Sequence, residues 1–258
     1  MKELPVILRI ARVDLSYFFR TKWLIVFLLS LNLSDIFVVA LVYRGIMSLD
    51  YFQFFVPAVV VMGLFTAALD TGRRIYLSLR EGIVQYYLSL PVSTEGLVAA
   101  HLLSGGTTGL IYSSSLLVTA FLVLGASSIV NTLILLPFLL LLAVGLAGLA
   151  ATLAIVASTR GEFFFAYQQM AQTLLLIFST IFYPAYLLQR YLPSFLVLVA
   201  SVNPLSLAAD GLRSYVFQGQ PMGAFFLIEL SVTSLPFALL GGFSYLRVLG
   251  RIRVNGKV

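Results

Sequence analysis

The chain contains no cysteine and only one histidine, His101. Without thiols it forms neither disulfides nor thiolate metal sites, and a single imidazole cannot supply the ligand set of a zinc ion. The composition therefore argues against a metalloenzyme and against a disulfide-stabilised fold.

Charged residues are also scarce, at 10% of the 258 residues, whereas 60% are hydrophobic. A water-soluble domain has too little interior to bury so many apolar side chains, and the mean hydropathy of +1.04 is typical of an integral membrane protein. The apolar runs are about 20 residues long, the length of a membrane-spanning helix rather than of a barrel strand. We therefore predict an all-α membrane protein with a single domain over residues 1–258.

Six membrane-spanning helices are predicted from these runs, and the second of them is short. They cover Trp23–Tyr43, Phe54–Leu69, Leu97–Leu124, Thr132–Ser158, Phe163–Tyr183 and Gly223–Leu246. The polar stretch before the first run is too long and too mixed in charge for the start of a signal peptide, so no cleaved leader is expected. An even number of spans places both termini on one side of the membrane.

The basic residues then set the orientation. With both termini in the cytoplasm, 13 of the 16 basic residues lie on the cytoplasmic side, in keeping with the positive-inside rule. Only Arg44, Arg190 and Arg213 remain outside. We predict a multi-pass protein of the cell membrane with cytoplasmic termini. This asymmetry accounts for the net charge of +6 without a nucleic-acid partner.

Residues 1–22 are predicted to form an amphipathic helix in the cytoplasmic interface, with Pro5 suited to the helix start. Its apolar face would carry Val6, Ile10, Val13 and Tyr17. The opposite face, which is placed to meet the phosphates of membrane lipid, would carry Arg9, Arg12, Ser16 and Arg20.

A cytoplasmic segment, residues 71–96, separates the second and third predicted spans. Within it Glu81, Gln85 and Ser89 recur every four residues, which gives a short helix one polar face. The apolar side of that helix would carry Ile83, Val84, Tyr87, Leu88 and Leu90. Pro91 ends the helix, and Ser93 is suited to cap the next one. Such a rigid elbow is suited to being pushed by a partner; an ordinary interfacial loop is the alternative.

Residues 184–222 are fairly apolar, but Pro184, Pro193 and Pro204 interrupt them before any run reaches spanning length. Such pieces are predicted to form a re-entrant helical hairpin in the outer leaflet. Asn203 is predicted to cap a helix that begins with Pro204, and Gly219 is predicted to end it.

Three glutamines in the fifth predicted span, Gln168, Gln169 and Gln172, are candidates for lining a substrate path at a dimer interface. Amide groups are costly to expose to lipid, so they are expected to face protein or water. Gln168 and Gln172 lie one turn apart on one helix face. Hydrogen bonding between helices is the alternative role for all three.

Asp35 lies near the middle of the first predicted span, where an unpaired carboxylate costs about 2–3 kcal/mol. The carboxyl group must be paired, protonated or solvated. Two roles are open for it: a cation or cationic-drug site on the substrate path, or a structural contact with a tyrosine or an arginine.

Charged residues also fall near the outer ends of the predicted helices. Asp210 and Arg213 are three residues apart in the outer hairpin, and Glu229 lies near the outer end of the last span. We predict a local ion-pair set that holds the hairpin, with a gate at the outer mouth as the alternative. In the third span, Gly105 and Gly109 are predicted to allow close helix packing.

Two motifs resemble segments of a known family. The stretch REGIVQYYLSLPVSTEGLVAAHLL, residues 80–103, resembles the segment after the second span of ABC-2 type permeases. The stretch NPLSLAADGLRSYVF, residues 203–217, resembles the Asn-Pro opening of the outer helix before the last span of that family. The amphipathic N-terminal helix and the six-span layout agree, so the likeness covers essentially the whole chain. It is closest to the drug-resistance or lipid-export type.

The resemblance implies the transmembrane subunit of an ABC exporter for a hydrophobic or amphipathic substrate. It would pair with a second copy or a related chain and with two separate ATPase subunits, which would hold ATP and Mg²⁺. The chain has no Gly-rich lysine loop for nucleotide phosphates, so we expect no cofactor and no catalysis in it. By resemblance, the ATPase surface and the elbow would involve Arg80, Glu81, Gly82, Gln85 and Pro91.

Three other hypotheses are open. A cation or heme-linked exporter of the same fold would use Asp35 or His101 directly. An intramembrane enzyme is disfavoured because the predicted spans contain no evident Ser–His pair, carboxylate pair or metal cluster. An assembly protein without a transport role would share the same hydrophobic pattern.

Overall fold

The computed structural model of the chain describes residues 4–39, 42, 50–125, 127–158 and 163–255. Within these ranges the regular secondary structure is helical, with no strand. We number the helices in chain order as α1 Leu4–Arg20, α2 Lys22–Ser34, α3 Tyr51–Arg80, α4 Ile83–Ser89, α5 Thr94–Leu124, α6 Ile129–Ala157, α7 Phe163–Ile177, α8 Ala185–Tyr191, α9 Ser194–Ser201, α10 Pro204–Gly211 and α11 Ala224–Asn255. Two π-helical segments, Asp35–Val39 and Leu212–Phe217, extend α2 and α10.

Helices α3, α5, α6 and α11 are long and apolar enough to cross a membrane. The described ranges hold up to 6 spans if each of two bent pairs, α1 with α2 and α9 with α10, counts as one. The predicted all-α, membrane-embedded character is confirmed at this level. The six-span layout and the re-entrant hairpin remain predictions.

The fifth predicted span differs from the structure. Helix α7 has 15 residues and ends at Ile177, whereas the apolar run continues to Tyr183. At about 1.5 Å per residue, such a helix is about 22 Å long, shorter than the roughly 30 Å hydrocarbon layer. The helix ends early because the Asn203 amide takes up carbonyls of its last turn, donating to Leu175 O at 2.8 Å and to Phe178 O at 2.6 Å.

Helices α3 and α11 run well past the predicted ends of their spans. The second span was expected to end at Leu69, before the first charged residue, yet α3 continues to Arg80. It tolerates the charges because Asp70 pairs with Arg73 at 2.7 Å and with Arg74 at 3.4 Å within the same helix. Helix α11 likewise passes the predicted end at Leu246 and reaches Asn255. The predicted end of the first span, Tyr43, lies outside the described residues.

The bundle packs around two buried clusters, one toward each end. The first gathers Phe55, Leu64, Leu116, Leu142 and Leu212, and the second gathers Ile10, Tyr76, Leu97, Ala154 and Leu249. Helices α3, α6 and α11 run toward the second cluster, and α5 starts from it. Arg80, Arg247, Arg251 and Arg253 also lie at this end, which we call the basic end.

The predicted interfacial helix, α1, packs along helix α5. Ile7 lies at Gly96, and Phe18 packs edge-on against Tyr112 at 6.4 Å between ring centroids. These contacts cover about 24 Å of α5 at 1.5 Å per residue. Helix α1 is therefore part of the bundle, while its placement in a membrane interface stays a prediction.

Candidate functional site

The elbow segment, residues 80–93, joins the long helices α3 and α5 at the basic end. Helix α3 ends at Arg80, and Gly82 has a φ of 73°, a left-handed value that glycine adopts without strain. Helix α4 then runs over Ile83–Ser89, as the sequence predicts. Gly82 therefore fixes the angle between α3 and α4.

The second half of the elbow segment is set by a proline and a cap. Leu90 is extended, as expected for a residue before proline, and Pro91 stops α4. The Ser93 hydroxyl accepts a hydrogen bond from the Gly96 amide at 3.1 Å, and Glu95 lies in the first turn of α5. The predicted helix end and cap are confirmed.

Helix α4 has one buried and one exposed side. Val84 is buried, while the exposed side carries Glu81, Gln85, Tyr86 and Ser89. Tyr86 is 65% exposed, which leaves a large aromatic surface open beside the polar residues. Ile83, predicted on the apolar side, is 40% exposed and borders a cavity of about 280 Å³ between α1, α3 and α4.

A buried polar cluster of Asp14, Arg74, His101 and Tyr245 lies beneath the elbow segment. His101 is only 3% exposed, and its Nδ1 lies 2.9 Å from the Tyr245 hydroxyl. Its Nε2 lies 3.5 Å from the Asp14 carboxylate, and Arg74 donates to the Asp14 carbonyl at 2.9 Å. The cluster thereby joins α1, α3, α5 and α11. Both ring nitrogens of His101 face protein partners, so the imidazole is not free to bind a cargo ion.

Tyr87 connects α4 to this polar cluster. Its ring packs edge-on against the His101 ring at 5.5 Å, with an interplanar angle of 78°. Burial raises the pKa of Tyr87, and the negative charge of Asp14 adds to the effect. The Tyr87 hydroxyl therefore stays protonated at neutral pH, and any displacement of α4 presses an uncharged ring on His101.

The face of α1 that is buried in the bundle differs from its predicted apolar face. Val13 and Tyr17, predicted on the apolar face, are exposed, whereas Ile10, Asp14 and Phe18 point into the bundle. The helix takes this rotation because Asp14 finds partners in His101 and Arg74. A lone histidine in an apolar span and a lone acid in α1 were the available signals for the cluster.

The three glutamines of α7 do not form one site within this chain. Gln169 is exposed and donates to the Thr173 hydroxyl at 3.5 Å, while Gln168 and Gln172 are half-buried. The Gln168 side-chain oxygen is buried without a hydrogen-bond partner among the described residues. The predicted interhelical hydrogen bond of this group is therefore not formed inside the described chain.

Asp35 is half-buried and has no ion pair or side-chain hydrogen bond to any residue in the described ranges. The predicted tyrosine or arginine contact of Asp35 is therefore not formed among these residues. One turn earlier in α2, the Asn32 amide donates to the Tyr112 hydroxyl at 2.9 Å.

The predicted ion pair of the outer segment is confirmed. Arg213, 7% exposed, bonds to Asp210, which also accepts from the Thr180 hydroxyl at 3.0 Å. Arg213 further donates to the carbonyls of Phe54 at 2.8 Å, Thr180 at 3.0 Å and Ile181 at 3.2 Å. The guanidinium also stacks 3.7 Å from the Phe54 ring centroid. One side chain thus ties the π-helical end of α10 to α3 and to the turn after α7.

Two further predictions for the outer segment have different outcomes. Asn203 caps α10, its side chain accepting from the Leu205 amide at 3.0 Å, and Pro204 takes the first helical position, as predicted. Glu229 is not part of the ion-pair set: its side chain bonds to no described residue. The hydrogen bonds of Arg213 go instead to Asp210 and to three backbone carbonyls.

No protein-family model matches the chain, and no curated protein sequence matches it. The structure brings together the elbow residues at the basic end, and Asn203, Asp210 and Arg213 toward the other end. It leaves Asp35, the glutamines of α7 and Glu229 apart from both groups.

Proposed function

We propose that this chain is the transmembrane permease subunit of an ABC-2 type exporter. It lies in the cell membrane with cytoplasmic termini and pairs with a second copy or a related chain. Two separate ATPase subunits bind ATP and Mg²⁺ and supply the energy. The cargo is a hydrophobic or amphipathic molecule, and the chain itself carries out no chemical reaction.

The elbow segment is the observation that carries this proposal. It is a short helix with a buried face and an exposed face, held between two long apolar helices by Gly82 and Pro91. A partner that pushes on the exposed side moves a rigid body, because both ends of α4 have fixed backbone geometry. Glu81, Gln85 and Tyr86 offer that partner charge, hydrogen bonds and aromatic surface.

The buried polar cluster supports transmission beyond the elbow segment. Tyr87 passes a displacement of α4 to His101, and His101 contacts Asp14 of α1 and Tyr245 of α11. Movement is thereby shared between helices from both ends of the sequence. Nucleotide-driven closure of the ATPases would shift the equilibrium between two arrangements of the bundle.

Helix α7 supplies the surface proposed for pairing and for the substrate path. Residues at helical spacing leave one of its sides exposed: Ala166, Gln169, Met170, Thr173, Leu174 and Ile177. An amide on a lipid-facing surface is costly, so a second chain or a water-filled path on this side would satisfy Gln169.

The first test is copurification of the tagged chain with an ATPase that contains a phosphate-binding Gly-rich loop. The second is Glu81→Arg, which reverses one charge on the exposed side of α4. We expect normal insertion and pairing but reduced substrate-stimulated ATP hydrolysis by about tenfold, as for loss of a charged contact in an interface. Gln189→Arg, an exposed change on α8, is the control and leaves the hydrolysis rate unchanged.

Absence of any copurifying ATPase would contradict the proposal as a whole. Full stimulation in the Glu81→Arg complex would instead remove the elbow segment from the coupling contact.

A further inference from the structure

An apolar groove of about 560 Å³ lies on the outside of the bundle between α7, α9, α10 and α11. Its wall includes Leu174, Phe178, Val199, Val202, Pro236 and Phe237. The volume is within the range of small-molecule sites, which is roughly 300–1,000 Å³. The groove is therefore large enough for a hydrocarbon body of drug or surfactant size.

The two polar residues on the groove wall are already engaged. The Asn203 amide donates to carbonyls of α7, and the Thr233 hydroxyl donates to the Glu229 carbonyl at 2.9 Å. The wall thus presents apolar surface to a ligand, because its polar groups are already hydrogen-bonded within the protein. Selectivity for a polar head must come from beyond the groove.

Glu229 lies on α11 one turn before the groove residue Val232. It lies on the same face of α11 as Val232, Thr233 and Pro236, at spacings of three, four and seven residues. Residues before and after Glu229 on α11 face the α10 segment. The Phe226 ring centroid lies 4.8 Å from that of Tyr215, and Thr233 lines the groove together with Pro204. Glu229 therefore lies in the crevice between α10 and α11, where the groove meets the end of the bundle.

The Glu229 carboxylate has no bound counter-charge. It is half-buried, and its side chain makes no ion pair or hydrogen bond within the described ranges. Arg213, the nearest cation along α10, is occupied by Asp210 and backbone carbonyls. A carboxylate placed at the end of an apolar groove complements a ligand that joins one positive charge to a hydrocarbon body.

We propose that this crevice binds a lipophilic amine, with the ammonium group on Glu229 and the hydrocarbon body in the groove. Glu229 and Pro236 are about 10 Å apart along the helix axis, so a chain of about ten carbons connects the two parts. The site opens sideways, away from the elbow segment. The binding goes beyond the proposed export function and does not require it, since it involves neither ATP nor a second chain.

The test uses the full-length protein in nanodiscs of phosphatidylcholine. The probe is a dodecylamine that carries a photoreactive diazirine on its chain, and the matching dodecanol is its neutral counterpart. Crosslinked peptides are mapped by mass spectrometry, and affinity is measured by saturation of labelling. We expect adducts in Val199–Val202 and Val232–Phe237.

Variants separate the two halves of the site. Glu229→Gln should weaken the amine about five- to tenfold and leave the alcohol unchanged, because it removes only the charge. Val232→Trp fills the groove and should weaken both probes. Glu95→Gln, the same change at the basic end, is the matched control and should alter neither.

Three outcomes would overturn the proposal. Equal labelling by amine and alcohol, insensitive to Glu229→Gln, would leave only a crevice for lipid chains. Full displacement of the amine by phosphatidylethanolamine at membrane levels would assign the site to a bilayer lipid. Adducts confined to Ala166–Met170 of α7, which do not line the groove, would place amine binding elsewhere. Since none of these measurements uses ATP, failure here is distinguishable from failure of the export function.

Discussion

Arg213 shows how a single residue organises the outer part of the bundle. A guanidinium buried in an apolar setting is tolerated only when its donors are used, and this one contacts a carboxylate, three carbonyls and the face of Phe54. Two of those carbonyls, Thr180 and Ile181, belong to the turn that ends α7. The side chain therefore stabilises a stretch of irregular backbone that has no helical partners of its own.

Replacing this residue should loosen the outer segment. We expect Arg213→Met to lower the free energy of unfolding by about 2–4 kcal/mol, since three carbonyls lose their donor and Asp210 loses its counter-charge while side-chain volume is kept. The readout is the midpoint of thermal unfolding of the purified protein in one detergent. Arg190→Met, an exposed arginine on α8, should leave the midpoint unchanged. Equal midpoints for wild type and Arg213→Met would show that the network adds no stability.

Part of this network could be predicted from the sequence. The spacing of Asp210 and Arg213 predicts their ion pair, because residues three apart meet on a helix. The acceptors at Phe54, Thr180 and Ile181 come from distant parts of the chain, and no local pattern encodes them. For the same reason the pairing of Asp14 with His101 could not be read from either helix alone.

Close contacts between helices depend on small residues at the positions where two helices approach each other. A Cβ added to Gly109 would lie only 3.0 Å from the Leu64 carbonyl oxygen. Helices α3 and α5 therefore pack closely here, as predicted for the third span. The tightest approach to a neighbouring backbone joins α6 and α11, where a Cβ on Gly241 would overlap the backbone of Gly148. A backbone cannot yield as a side chain does, so this contact sets the separation of the two helices.

The next residue provides a matched comparison for this contact. Gly241→Ala should cost about 1–3 kcal/mol through overpacking, more than the roughly 1 kcal/mol that alanine gains over glycine in a helix. Gly242→Ala meets no atom nearer than 4.0 Å and should be neutral or stabilising. Thermal unfolding midpoints of the two variants in the same detergent provide the measurement. A Gly241→Ala protein as stable as the Gly242→Ala protein would contradict this packing.

Helix ends were harder to predict than helix positions. Hydropathy places α5 and α6 to within a few residues, because both begin at a serine cap and contain long apolar runs. It ends the second span too early, since Asp70 and the arginines after it look like a boundary until their mutual pairing is known. It carries the fifth span too far, because the amide of Asn203 that ends α7 lies in another helix.

At the scale of the whole molecule, the two ends of the bundle are chemically different. The basic end holds the elbow segment and the buried polar cluster. The other end holds short helices tied together by Arg213 and Asn203. In the proposed exporter the first end receives force from the ATPases, and the second end faces the outside. That assignment depends on which end lies in the cytoplasm.

The absence of cysteine makes this orientation directly measurable. Tyr86→Cys on α4 and Gln189→Cys on α8 each place a single thiol on an exposed side chain, one at each end of the bundle. We expect a membrane-impermeant maleimide to label Gln189→Cys in intact cells, and to label Tyr86→Cys only after the membrane is opened.

The parent chain, which has no thiol, sets the background, and both variants should react fully in detergent. Labelling of Tyr86→Cys in intact cells would place the elbow segment outside, where no ATPase can push it. The proposed export function would then be wrong. The proposed amine binding beside Glu229 would still hold, because its ligand enters from the lipid and not from the cytoplasm.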